Sequence, residues 1–76
     1  MKLENFIQSF AEQFEETPNE NFAADTDFKA LEEWESMTVL IIIAMADEEY
    51  NVTINGEDIR NADTIEDLFE IVKSRV

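Results

Sequence analysis

The sequence predicts a small all-α domain, a bundle of three main helices plus one short helix. Three observations lead there. Apolar residues recur at helical spacing near both ends of the chain. The most apolar segment runs on through 'AMADEEY', too long for one strand. The only alternating stretch, Val52 and Ile54, is too short to found a sheet. A chain of 76 residues allows one domain and one core, so 1–76 is read as a single domain.

Leu3, Ile7, Phe10 and Phe14 lie on one helical face, with Phe6 on a neighbouring row. They predict an amphipathic helix from Leu3 to about Glu16, ending before Thr17-Pro18. The polar stretch 'TPNENFAADTDF' follows as a long loop, which Phe22 and Phe28 are expected to pin onto the core. Leu31 and Trp34 continue that approach, with Trp34 read as a packing residue.

Residues 36–50 are ambiguous on local propensity, because 'TVLIII' is rich in β-branched side chains. Length decides for a helix. The row Val39, Ile42, Ile43, Ala46 and Tyr50 meets no charge and is expected to face the core. The opposite row, Met37, Leu40, Ile41 and Ala44, runs into Glu48 and is expected to be partly exposed.

Asn55-Gly56 signals a turn, and 56–61 is read as a short helical turn with Ile59 inward. The last helix opens at Thr64, a good N-cap, with Glu66 and Asp67 opposing the helix dipole. Ile65, Leu68, Phe69 and Val72 form its buried face, and Lys73 and Arg75 close it.

Composition excludes several kinds of chemistry. There is no histidine for a Ser-His-Asp nucleophile and no His or Cys set for zinc. A single glycine, Gly56, rules out a glycine-rich phosphate loop. The 'NVTING' loop has too few carboxylates for calcium, so no metal site is expected. Nineteen acids against five bases give a net charge of −14, which disfavours nucleic acid and anionic membranes and favours partners with basic patches. The start 'MKLENFIQSF' does not read as a signal peptide, and 37–46 is too short to span a bilayer. A cytoplasmic monomer is expected. Crowding at Glu32, Glu33 and Glu35, and again at Asp47, Glu48 and Glu49, is expected to raise carboxylate pKa values in the fold.

Ser36 stands at the mouth of the most apolar segment. It could simply cap its helix. It could also carry a phosphate ester, since a helix N-terminus presents unpaired N–H groups and favours negative charge.

The wider spacing bears on that choice. Glu35-Ser36-Met37 follows 'FKALEEW'; Tyr50 stands fourteen residues after the serine and Ile54 four further on; a short helix is expected at 56–61, and Thr64-Ile65 opens the last helix. On these features, covering nearly the whole chain, the sequence resembles the acyl carrier protein family. The resemblance implies a four-helix bundle of the acyl-carrier type and a non-catalytic function. Ser36 would bear a covalent 4′-phosphopantetheine arm that carries acyl intermediates as thioesters, as in fatty acid, polyketide or related biosynthesis, with the growing chain sheltered between the second and third helices. Partners would be a phosphopantetheinyl transferase and acyl-processing enzymes. Glu35, Met37, Leu40, Ile41, Ala44, Asp47 and Glu48 would form the recognition surface, within an acidic ring that also includes Glu32, Glu33 and Glu49. Two readings stand beside this one: a carrier-like interaction module without the arm, and an aminoacyl or peptidyl carrier. Three positions depart from the family pattern. Glu35 replaces an Asp that helps hold the transferase's magnesium, Met37 replaces Leu, and Ile41 stands where an acid is common.

Overall fold

The computed structural model describes residues 2–76 and is all-helical, with no strand among the described residues. Four helices, α1 (Leu3–Ala11), α2 (Ser36–Tyr50), α3 (Gly56–Asn61) and α4 (Ile65–Lys73), form a small bundle, with 3₁₀ turns at Asn19–Asn21 and Phe28–Ala30 between α1 and α2. The fold class and the bounds of α2 and α3 are those the sequence predicts.

The end of α1 differs. The apolar row runs to Phe14, but α1 ends at Ala11, and its last four-residue bond is Glu12 N–H to the Gln8 carbonyl at 3.0 Å. Gln13 N–H and Phe14 N–H bond three residues back, to Phe10 and Ala11 carbonyls, which tightens the last turn. Gln13 Nε2 also donates to the Ser9 carbonyl at 3.0 Å. Phe14 remains buried, so apolar periodicity continues past the helix that it implied.

Phe6, Phe10, Phe28, Ile42, Ile65, Leu68 and Val72 are fully buried, each such side chain contributing about 1.5–3 kcal/mol. Phe10 is the hub of an aromatic cluster. Its ring centroid lies 5.4 Å from Phe14, 6.1 Å from Phe22 and 5.4 Å from Phe28. Through this cluster the long loop is pinned to α1 by Phe22 and Phe28, as expected. The loop also gives backbone acceptors to α4: Ile65 N–H bonds Thr26 O at 3.2 Å and Glu66 N–H bonds Ala24 O at 2.9 Å. These bonds satisfy donors that a helix start leaves open.

The core face of α2 needs correction. Ile42 and Ala46 are buried, but Val39, Ile43 and Tyr50 are half-buried at the margin, while Thr38 and Met45 lie inside. α2 is apolar on more than one side, so periodicity gives its core face little definition. The helix ends at Asn51, which adopts the left-handed conformation (φ 56°) and donates to the Asp47 carbonyl at 3.0 Å.

Both later helices start with reciprocal caps. Asn55 accepts from Asp58 N–H at 2.9 Å, and Asp58 accepts in return from Asn55 N–H. Thr64 and Asp67 do the same for α4.

Candidate functional site at the start of the second helix

Ser36 occupies the first helical position of α2 and is exposed. The N-cap is Glu35, extended in backbone and without a side-chain capping bond. Plain capping by the serine is therefore not how this helix starts. The ladder begins with Val39 N–H to Glu35 O at 3.2 Å, so Ser36, Met37 and Thr38 N–H groups have no partner within the helix. Open donors and the positive end of the dipole suit a phosphate ester at Ser36.

The chain has two other serines. Ser9 is buried and donates to Glu49 Oε1 at 2.9 Å. Ser74 lies at the C-terminal end of α4, where the dipole disfavours an anion, and donates to the Ile71 carbonyl at 2.7 Å. Neither has the setting of Ser36.

Beyond Ser36 the surface of α2 is apolar. Met37 and Leu40 are 61 % exposed, Ile41 is 38 % exposed, and Ala44 is exposed beside them. Glu35, Asp47 and Glu48 are exposed at the two ends of this stripe. Two acids read as part of the same ring have structural partners instead. Glu49 accepts from Ser9, tying α2 to α1. Glu33 accepts from Glu16 N–H at 3.2 Å and from the Thr17 hydroxyl. The Thr17 hydroxyl bond, aided by backbone N–H groups and opposed by desolvation, holds the Glu33 carboxyl below its ordinary range. At Glu33 this reverses the rise expected from crowding, because the hydrogen bonds the carboxylate accepts outweigh desolvation. Among the described residues no three acids converge into a metal-sized cluster.

Two concavities flank the serine's helix. One, of about 620 Å³, lies between the exit of α1 and the start of α2, where Glu33, Glu35, Met37 and Ile41 line it. The other, of about 320 Å³, lies between α2 and α3 over Trp34, Val39 and Ile59, with Lys29 and Arg60 at its rim. Trp34 packs edge-on against Phe28, with centroids 5.0 Å apart, and lines this second cleft as well. Local sequence carries no signal for Thr17, because its partner Glu33 lies 16 residues away in the chain.

The family model for a phosphopantetheine attachment site matches residues 5–72. Proteins of that family bear 4′-phosphopantetheine covalently on a serine, are non-catalytic carriers, and interact with phosphopantetheinyl transferases and acyl-processing enzymes. Comparison with curated proteins and with solved structures returns no match. With that match over nearly its whole length, the chain belongs to the phosphopantetheine attachment family of carrier proteins.

Proposed function

We propose that residues 1–76 form a single acyl carrier domain whose arm is attached at Ser36. The observation that carries this reading is the exposed, uncapped serine at the first position of α2, next to an exposed apolar stripe. When attached, 4′-phosphopantetheine supplies a terminal thiol for thioester linkage to an acyl group. The chain's own residues hold the attachment point and present the docking face. The open N–H groups of α2 would offset the ester's negative charge. Met37, Leu40, Ile41 and Ala44 offer apolar contact, and Glu35, Asp47 and Glu48 steer basic partner surfaces. Such binding stays modest, so that the carrier leaves after each step. The reading places the protein in fatty acid, polyketide or related acyl biosynthesis, as a cytoplasmic monomer.

Incubation with coenzyme A, magnesium and a broad-specificity phosphopantetheinyl transferase, read by intact mass, tests it. The wild type gains one arm and Ser36→Ala gains none. A gain that persists in the variant overturns the assignment to Ser36. A wild type that never gains an arm favours a plain interaction module, and selective loading by amino acids favours an aminoacyl carrier.

A further inference from the structure

We propose that Glu33 is a positioning residue for attachment of the arm, fastening the segment that presents Ser36 to the transferase. This inference rests on the assignment of Ser36 above. Glu33 is held at both ends. Its carboxylate accepts from Glu16 N–H at 3.3 and 3.2 Å and from the Thr17 hydroxyl, just beyond α1. Its carbonyl accepts from Thr38 Oγ1 at 2.8 Å, and Thr38 is buried in the first turn of α2. One residue thus links the exit of α1 to the start of α2, with Ser36 inside the linked segment.

The surroundings make that link matter. Between Ala11 and Ser36 the chain has only two three-residue 3₁₀ turns, so no long element fixes the approach to the serine. The other nearby anchors are Trp34 against Phe28 and the Trp34 N–H to Leu31 O bond at 3.0 Å. These hold the segment to the loop before it, whereas Glu33 ties it to the residues just beyond α1. In a chain of net charge −14, repulsion alone would push Glu33 outward among Glu32 and Glu35. Hydrogen-bond donors hold it in place instead.

In the transfer, Ser36 Oγ forms a bond to the phosphorus of coenzyme A's phosphopantetheinyl group. The hydroxyl proton passes to a base of the transferase, and the bond from phosphorus to the adenosine bisphosphate leaving group breaks. Such a displacement needs the nucleophile in line, and small misplacements are costly in rate. Loosening the Glu33 link is therefore expected to act on kcat more than on KM.

The experiment measures transfer kinetics by intact mass for wild type, Glu33→Ala, Glu33→Gln, Thr17→Val and the Glu33→Ala/Thr17→Val double variant, with circular dichroism melts of each. Glu33→Ala and Thr17→Val are expected to lower kcat about tenfold with KM nearly unchanged. Glu33→Gln keeps an acceptor oxygen and is expected to stay within about twofold of wild type. The double variant should be no slower than Glu33→Ala, because both changes remove one link. A merely structural role would shift the melting temperature and leave kcat of the folded variants intact, and that result overturns the proposal. So does an effect confined to KM, which would make Glu33 a docking charge. If Glu33→Ala does not fold, Thr17→Val decides by the same criteria. An unmodified wild type overturns the Ser36 assignment and this inference with it, whereas a modified wild type with unaffected variants overturns this inference alone.

Discussion

Arg75 grips Asp58 with two parallel hydrogen bonds, Nη1 to Oδ2 at 2.7 Å and Nη2 to Oδ1 at 2.9 Å. The same Nη1 donates to the Thr53 carbonyl at 3.1 Å. Asp58 is also the capping partner of Asn55, so one carboxylate joins the C-terminal tail, the start of α3 and the loop before it. A six-residue helix has little stability of its own; Ile59 is buried in the core, and this clasp adds a tether from α3 to the C-terminal tail. Arg75→Met should lower the melting temperature and speed amide exchange in 55–61 before it affects α1. Uniform exchange across the fold would count against a local clasp.

The clasp gives the fold an acid-side pH dependence. The Arg75 side-chain bond, then the Asn55 N–H, holds the Asp58 carboxyl below its ordinary value of about 3.9. Between the lowered folded value and the ordinary one, the unfolded chain binds more protons, so stability rises with pH there. The contribution is fully present above about pH 4 and is lost as pH falls through the folded value. Melts of wild type and Asp58→Asn should therefore differ most at neutral pH and converge below pH 4. A gap that widens on acidification would contradict this.

The aromatic hub sets the cost of core damage. Phe10 is fully buried and packs on Phe14, Phe22 and Phe28. Phe10→Ala should cost about 3–5 kcal/mol, a large part of what a domain of this size has. Urea titration would show the midpoint falling or the native baseline disappearing, and Phe10→Leu should be much milder.

These elements were not equally legible in the sequence. α4 was, because Thr64, the row Ile65, Leu68, Phe69 and Val72, and Lys73 all point to the same helix. The exposed stripe of Met37, Leu40, Ile41 and Ala44 was legible because its row runs into Glu48. The end of α1 was not, since Phe14 stays buried after the hydrogen-bond ladder has changed. The burial of Thr38 and Met45 was hidden by the apolar residues all round α2. The partners of Glu33 and Glu49 lie 16 or more residues away, at Glu16, Thr17 and Ser9, so only the tertiary fold separates those acids from the solvated ones. The proposal for Ser36 rests on the joint spacing of Tyr50, Ile54 and Thr64-Ile65, and not on any property of one serine.

The proposed docking face predicts a division of labour between charge and apolar contact. Leu40→Ala should weaken transferase binding by about tenfold, the scale of a buried anchor, while leaving the melting temperature nearly unchanged because the side chain is 61 % exposed. Glu48→Lys should instead slow association and flatten its salt dependence. Surface plasmon resonance over a salt series separates the two effects, and binding by wild type that ignores salt would remove the acids from the account.

The most direct measurement is site-resolved mass spectrometry of the protein after reaction with coenzyme A, magnesium and a phosphopantetheinyl transferase. Peptides containing Ser9, Ser36 and Ser74 report separately on a buried hydroxyl, an open helix N-terminus and a helix C-terminus. The phosphopantetheine mass should appear on the Ser36 peptide alone and disappear in Ser36→Ala. Its appearance on the Ser9 or Ser74 peptide, or on none when a known carrier in the same mixture is fully modified, would contradict the central claim.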